Sequence, residues 1–375
     1  MKRIGVIAAG AGAVGAQFLR VLEERFCTKE LTVCVVAIGD SRGFVCNVDK
    51  GLAWSDVHAV LQHKSDGQTI PSWKPSDLNE IDTLDTLVAV VDYITSRPRG
   101  FDDYIVIDCT SSNQIASALV HASTNDFAVV MANKLPLSGS MEQYRQLAWS
   151  SDGTVRSQRV RYEATVGAGL PVVDTVKHVV ASRDTIQTIQ GSLSGTMAFI
   201  FSKMTSGSSF SEALLGSHRA GITEADPRDD LSGVDVARKM IIVAREMGFS
   251  VEIDSHVDIE PLLPPAMFEL PIESFFDKLS KFDGGFAQRM QAAKAADSTL
   301  AYLGSISPDG RVRVGLEVVP LTSVFAQTTT TENAVVLHTE WFPEPLVLRG
   351  TGAGIHSTAA ALASDVGAIV AGHND

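Results

Sequence analysis

Ile4-Gly5-Val6-Ile7-Ala8-Ala9-Gly10-Ala11-Gly12-Ala13-Val14-Gly15 is the stretch that decides the fold. Its apolar opening, Ile4 to Ala8, reads as a short buried strand. Gly10, Gly12 and Gly15 then fall in the spacing GxGxxG. From Ala13 to Arg25 the apolar residues Val14, Phe18, Leu19 and Leu22 recur on one helical face. A strand, a glycine-rich turn and a helix in this order read as the phosphate-binding turn of a dinucleotide site, with an ordinary strand-to-helix turn as the plainer alternative. The first glycine permits the tight turn, the second lets the backbone approach a pyrophosphate, and the third lets the helix lie close to the sheet. The helix start adds free N–H groups and the positive end of its dipole. Ala8-Ala9 lengthen the approach to Gly10, so the turn is expected to sit slightly high over the sheet end.

Strand and helix patterns keep alternating downstream. Leu31–Ile38 is a β-branched run suited to a strand buried on both faces. Leu84–Ile94 has helical spacing, Tyr104–Asp108 reads as a strand, Ile115–Ala122 as a helix and Phe127–Met131 as a strand. This alternation predicts a Rossmann-type parallel sheet. After about Gln158 the strands lengthen: Thr185–Leu193, Thr299–Ile306, Arg311–Val319 and Ala334–Glu340, with a helix over Gly233–Met247. That pattern predicts an α+β second domain with an open, partly antiparallel sheet. Ala353–Val370 reads as a packed helix. The change of pattern puts a boundary at 157/158. Thr205–Ser209 is the most flexible-looking turn.

The net charge of −13 over 375 residues argues against a nucleic-acid partner, which needs a basic surface. No run of about 18 apolar residues stands out, so no membrane span is expected. Four cysteines without a CxxC pair fit a reducing, cytoplasmic setting. Nine scattered histidines without a His-x-x-x-His pair give no transition-metal site.

Five groups of residues carry candidate chemistry. Asp40, about 25 residues past Gly15, stands where an acid meets the ribose hydroxyls of NAD, whereas Arg42 suits the 2′-phosphate of NADP. Cys109-Thr110-Ser111-Ser112 follows a parallel strand, where ligands of such sheets bind; the same hydroxyls also suit a helix cap. Asn133-Lys134 follows the next strand and places a lysine at that sheet edge. Glu163-Ala-Thr-Val-Gly-Ala-Gly-Leu-Pro171 combines a carboxylate with carbonyls freed by two glycines, a donor set for a hard cation, and equally a plain strand-to-helix connection. Glu224 to Lys239 holds five carboxylates and three basic residues. Asp235 and Lys239, spaced i,i+4, share a helix face that continues into Ile242 and Val243. A lysine so placed, beside a core, is suited to proton transfer, while an exposed salt bridge is the plainer alternative. The remaining acids repel one another and so call for a cationic ligand group.

In this order the motifs resemble homoserine dehydrogenase in its short, single-function form. They are GAGAVG (Gly10–Gly15), Thr110–Ser112, Asn133-Lys134, Glu163–Pro171, Ser194-Gly195-Thr196, Glu224–Lys239 and Gly350–Gly354. The resemblance spans nearly the whole chain. It implies reversible oxidation of L-homoserine to L-aspartate 4-semialdehyde with NADP or NAD, in threonine and methionine biosynthesis. It implies that Lys239 and Lys134 handle the proton with Asp235 beside them, and that Gly195, Thr196, Glu224, Asp230 and Asp235 hold the substrate. Gly10, Gly12, Ala13, Val14, Gly15, Asp40, Arg42, Thr110, Ser111, Lys134, Gly352 and Gly354 would meet the cofactor. Glu163 with the carbonyls of Val166, Ala168 and Leu170 would form a sodium-type cation site. The last helix would return to the nucleotide domain, so that residues 345–375 rejoin residues 1–157 there. That leaves 158–344 for a substrate-binding and dimerisation domain, whose sheet would make a homodimer. Two departures stand out: Ile222 occupies a position where the family often has tyrosine, and Ala8-Ala9 lengthen the turn. With the chain ending at Asp375, no appended regulatory or kinase domain is expected.

Overall fold

The computed structural model describes residues 2–27, 31–75, 81–149, 157–329 and 331–372. The chain divides into two compact units, one of residues 1–165 with 354–375 and the other of residues 166–353. Both junctions lie later than the expected 157/158 and 344/345. The first falls later because Val160-Arg161 still pairs with the first unit's sheet.

In the first unit the strands are β1 (Lys2–Ala9), β2 (Leu31–Asp40), β3 (Gly43–Cys46), β4 (Asp82–Leu84), β5 (Asp103–Asp108), β6 (Ala128–Met131) and β7 (Val160–Arg161). They form one sheet in the order β4-β3-β2-β1-β5-β6-β7. β1, β2, β5, β6 and β7 are mutually parallel. β3 and β4 extend the β2 edge by antiparallel pairing. The helices are α1 (Ala13–Arg25), α2 (Trp54–Ser65), α3 (Leu87–Thr95), α4 (Ala116–Thr124), α5 (Leu135–Ser138) and α6 (Met141–Ala148). The chain leaves β1 toward β2 on one side, and β5 flanks β1 on the other. The strand order therefore reverses between β1 and β5, the position where open α/β sheets bind ligands.

The expected high seat of the glycine turn is absent. Ala8 and Ala9 belong to β1, pairing with Ile107 and Asp108, and both are buried. The two alanines lengthen the strand instead of lifting the turn. Likewise Leu84 ends a strand, and the helix read over Leu84–Ile94 starts at Leu87, capped by the Thr86 hydroxyl.

The last helix, Ile355–Gly372, belongs to the first unit, where Ala359, Leu362, Val366 and Ile369 join Phe18, Leu19 and Leu22 of α1 in one core. By length and composition it is apolar enough to cross a membrane, contrary to the expectation of no such segment. Its small apolar side chains are here a packing face against α1.

The second unit carries β8 (Ile186–Ser192), β9 (Val257–Ile259), β10 (Ser298–Ile306), β11 (Val312–Pro320), β12 (Glu332–Thr339) and β13 (Leu346–Thr351), in the order β13-β12-β8-β10-β11-β9. All neighbours pair antiparallel except β9 with β11. Its helices include α7 (Val172–Ala181), α8 (Gly195–Thr205), α9 (Phe210–Arg219), α10 (Pro227–Leu231) and α11 (Val234–Glu246). α11 buries Val236, Ala237, Met240, Ile241, Val243 and Ala244, as its apolar spacing requires. The turn at Thr205–Ser209 is not slack: Ser209 and Glu212 form a reciprocal capping box that starts α9.

Candidate active site

In the first unit the glycine turn behaves as its spacing dictates. Gly10 has φ +92°, and a Cβ there would lie 2.7 Å from the Cys109 carbonyl carbon. A Cβ on Gly15 would lie 2.1 Å from the Gly10 oxygen, so α1 starts directly against the turn. Gly12 faces open space. The turn is pinned by Gly10 N–H donating to the Gly39 carbonyl and Cys109 N–H to the Ala9 carbonyl.

A cavity of about 410 Å³ opens at this point. Gly10, Gly12, Asp40, Thr110 and Ser111, all expected cofactor residues, line it. Ala13, Val14, Gly15, Arg42 and Lys134 are in the same unit but outside that lining. Of the glycines near the last helix, Gly354 is in the first unit and Gly352 in the second, where a Cβ would run into Asn333.

The Asp40 carboxylate is already engaged. Lys64 Nζ donates to Oδ2 at 2.6 Å, the Ile70 N–H to the same oxygen at 3.1 Å, and the Arg42 N–H to Oδ1 at 2.8 Å. Burial opposes its charge, but these donors outweigh it and hold the carboxyl below its ordinary value. Lys64, on α2, also lines the cavity and is a functional candidate that sequence reading missed. The only signal was a basic residue in the last turn of a helix.

Thr110, Ser112 and Asn133 form one network at the ends of β5 and β6. Asn133 Nδ2 lies 3.1 Å from Asp108 Oδ2, 3.1 Å from Thr110 Oγ1 and 2.9 Å from the Ser112 carbonyl. Ser112 also caps the short helical turn after it, as the helix-cap alternative required.

In the second unit the acidic motif and the Ser194-Gly195-Thr196 motif meet. Thr196 Oγ1 donates to Asp230 Oδ1 at 2.7 Å, and the Glu224 N–H donates to Asp230 Oδ2 at 2.8 Å. Burial raises the Asp230 carboxyl above its ordinary value, with the Glu224 and Asp235 charges adding; the Thr196 and Glu224 bonds oppose the shift. Lys239 Nζ lies 2.8 Å from Asp235 Oδ2 and donates to the Leu193 carbonyl at 2.7 Å. Leu193 directly precedes Ser194, the cap of α8, so the ammonium sits by the start of α8. The Lys239 side chain is 13% exposed and that of Asp235 46%, which makes this pair half-sheltered and not a fully wet salt bridge.

The acids do not stand as an unpaired cluster, as the sequence reading had it. Asp226 caps α10 and pairs with Arg228, Asp230 accepts from Thr196 and Glu224, and Asp235 pairs with Lys239. Among the described residues the exposed Glu224 carboxylate makes no hydrogen bond or ion pair. Ile222, half-buried, contributes its carbonyl to the Thr196 hydroxyl at 3.2 Å.

Of the expected cation donors, Glu163 is buried in the first unit, while Val166, Ala168 and Leu170 belong to the second. Gly167 and Ala168 both have positive φ, which turns the backbone sharply there. The Leu170 carbonyl already accepts the Val172 N–H at 2.8 Å. Among the described residues no group of three or more His, Cys, Asp or Glu side chains is placed to hold a metal.

The first unit thus has a dinucleotide-type parallel sheet with a glycine turn at its switch point, and the α+β unit carries a lysine–carboxylate cluster. The profile described as homoserine dehydrogenase, NAD binding domain, matches residues 10–157, and that described as homoserine dehydrogenase matches residues 171–366. The chain belongs to the homoserine dehydrogenase family. The homoserine dehydrogenase of Saccharomyces cerevisiae is 30% identical over 97% of both chains. The bifunctional aspartokinase/homoserine dehydrogenase 2 of Escherichia coli is 32% identical over 97% of this chain and 43% of its own length. The chain thus spans about two fifths of the bifunctional relatives it matches. A crystal structure of a Candida auris protein of unknown function has a TM-score of 0.85 at 27% identity, covering 99% of each chain.

Proposed function

We propose that this chain interconverts L-homoserine and L-aspartate 4-semialdehyde with NADP or NAD, as a step toward threonine and methionine. The observation that carries the reading is Lys239, held between Asp235 and the Leu193 carbonyl next to the linked Thr196–Asp230–Glu224 group. An ammonium has three N–H donors. Two are committed to these partners, leaving one for a substrate oxygen.

The residues of the first unit fit the nicotinamide dinucleotide. Gly12 leaves open space where a pyrophosphate would lie against the start of α1, and Asp40 and Lys64 stand at the end of β2. When bound, the dinucleotide supplies or accepts the hydride. The chain's own residues do the rest. In the reductive direction Lys239 donates the proton to the oxygen that becomes the hydroxyl, and Asp235 keeps the ammonium aimed. Lys134 is the second proton-handling residue. The free carboxylate of Glu224, with Asp230, takes the substrate ammonium. Gly195 and Thr196, at the start of α8, take part in holding the substrate beside Asp230.

Three finer features complete the reading. Glu163 and the carbonyls of Val166, Ala168 and Leu170 bind a sodium-type cation. The second unit's sheet makes a homodimer, supported by the exposure of Val318 on β11 and Val347 on β13. The Asp40–Lys64 pair admits both NAD and NADP.

A rival reading, acyl-enzyme chemistry on a semialdehyde, needs a reactive thiolate. Burial, with the neighbouring Asp108 charge adding, pushes the Cys109 thiol upward, against that role.

The test is spectrophotometric. Purified protein is expected to form reduced nicotinamide when given homoserine with NAD or NADP. No homoserine-dependent signal with either cofactor would overturn the reading. Adding sodium chloride, but not choline chloride, is expected to raise the thermal midpoint. Light scattering is expected to give twice the chain mass.

A further inference from the structure

At the end of β5 stands a carboxylate that the reaction as described above leaves unused. Asp108 has no exposed surface. Its Oδ1 accepts the Thr110 N–H at 2.8 Å and its Oδ2 accepts from Asn133 Nδ2 at 3.1 Å. Its backbone carbonyl also accepts the Ala132 N–H at 2.9 Å. Asn133 is itself buried, and its Oδ1 accepts the Leu135 N–H at 3.1 Å.

This arrangement has a direction. An asparagine amide can present either its oxygen or its nitrogen to a neighbour, and its partners decide which. A carboxylate and a carbonyl only accept, so Asp108 and the Ser112 carbonyl together hold the Asn133 nitrogen on their side, with the Thr110 hydroxyl between them in reach. The Asn133 oxygen is thereby turned toward Leu135, closing a turn around Lys134. Thr110 is held from both sides, by the Asp108 carboxylate at its N–H and by Asn133 at its hydroxyl. The carboxylate, with the Ser112 carbonyl and the Leu135 N–H demanding the same orientation, holds the amide that ties the Cys109–Ser112 loop to the turn bearing Lys134.

We propose that Asp108 is a positioning residue for the reaction: it orients the Asn133 amide and so fixes the backbone of Lys134 and the hydroxyl of Thr110. The inference rests on the reading above, in which those two residues serve a dehydrogenase. A buried carboxylate with two good hydrogen bonds also stabilises a fold, so the experiment must separate the two roles.

The separating variant is Asp108→Asn, which keeps an oxygen for the Thr110 N–H but sets an NH₂ group against that of Asn133. Asp108→Asn combined with Asn133→Asp restores one donor–acceptor pair with its polarity reversed. Expected for Asp108→Asn is a kcat reduced about tenfold or more, a larger factor than the loss of dinucleotide affinity by fluorescence titration, since Gly10, Gly12, Asp40 and Ser111 still line the cavity. The double variant is expected to regain several-fold of the lost kcat. Hydrogen–deuterium exchange is expected to quicken in Asp108→Asn both over residues 108–113 and over 132–136. If Asp108→Asn fails to fold, Asn133→Ala is expected to show the same loss of kcat, again a larger factor than the loss of dinucleotide affinity.

An unchanged kcat in Asp108→Asn overturns the proposal. So does a loss that the double variant does not recover, or faster exchange confined to residues 108–113. If Asn133→Ala must stand in, an unchanged kcat there overturns it. If the wild type shows no homoserine-dependent reduction of nicotinamide, the functional reading fails instead, and the exchange data alone still judge whether Asp108 links the two segments.

Discussion

Arg161 Nε donates to Asp365 Oδ1 at 2.9 Å across 204 residues of sequence. The other oxygen of that carboxylate accepts the Glu163 N–H, also at 2.9 Å. The last helix is therefore tied to β7 and to the turn at Glu163 by one buried side chain, in addition to its apolar face on α1.

That clasp carries a prediction on stability. The Asp365 side chain is 2% exposed and that of Arg161 19%. Removing one partner of a sheltered ion pair leaves the other charge poorly compensated, at a cost of roughly 2–4 kcal/mol. Asp365→Ala is expected to lower the urea midpoint by that amount of free energy. Asp365→Asn, which retains one acceptor, is expected to lose about half as much. A shift under about 0.5 kcal/mol in Asp365→Ala would mean that the apolar face alone holds the helix.

Asp108 predicts a particular pH dependence. Burial pushes its carboxyl up to about 6, against the opposing hydrogen bonds from Thr110 and Asn133. Its ordinary value is 3.8, so the folded state holds this proton more tightly between pH 3.8 and about 6. Stability contributed by this group is therefore greatest at the acid end, falls as pH rises through that window and levels off above it. Asparagine does not titrate. Urea unfolding at several pH values is expected to show Asp108→Asn gaining on the wild type from pH 4 to 6.5, by at most about 1.4 kcal/mol per pH unit, with a constant gap above pH 7. A gap independent of pH throughout would assign the carboxyl an ordinary pKa.

What was legible in the sequence follows from where periodic burial acts. β1, the glycine turn and α1 were readable because each residue's role is set by its neighbours a few positions away. α11 was readable for the same reason, including the Asp235–Lys239 pair, whose spacing alone places both on one face. The extension of the first sheet by β3 and β4 was not seen, because strands of four and three residues carry no usable period. Polar partners far apart leave no pattern either. Asp108 meets Asn133 from 25 residues away, and Asp40 meets Lys64 from 24, so Asp40 and Asn133 were read without their partners and Lys64 and Asp108 were not singled out at all. The acidic motif was misread in its charge balance for a related reason. Asp226 is taken by Arg228 two residues on, and Asp230 by Thr196 far upstream, contacts that only the folded chain makes.

Lys64 bears on cofactor choice. A bare Asp40 at the end of β2 would accept ribose hydroxyls and repel a 2′-phosphate. Pairing with Lys64 cancels that repulsion and sets a cation at the cavity wall. Lys64→Ala is expected to weaken NADP binding about tenfold while changing NAD binding less than about threefold, since a phosphate draws on charge-assisted bonds that a hydroxyl does not. Arg42→Ala, at an exposed side chain on the same turn, is expected to act in the same direction and more weakly. Titration of both cofactors against each variant decides it. Equal losses for NAD and NADP would place Lys64 in the support of the pocket and not in the reading of the phosphate.

Lys239 gives the sharpest test of the chemistry. Its ammonium is held by Asp235 and by a carbonyl at the start of α8, which among the described residues engage two of its three N–H groups. In the proposed reaction it handles the proton, an effect worth about 10²- to 10⁴-fold in rate. Lys239→Ala is expected to lose kcat by that range while binding dinucleotide normally, because the glycine turn and its cavity belong to the other unit. Asp235→Asn keeps a hydrogen-bonding group near the amine but removes its counter-charge, so it is expected to lose less. The order matters as much as the size. If Asp235→Asn cost more turnover than Lys239→Ala, the carboxylate and not the amine would be the group handling the proton. If neither variant slowed turnover, the lysine–carboxylate pair would be a structural salt bridge of α11, and the proton would have to be sought at Lys134.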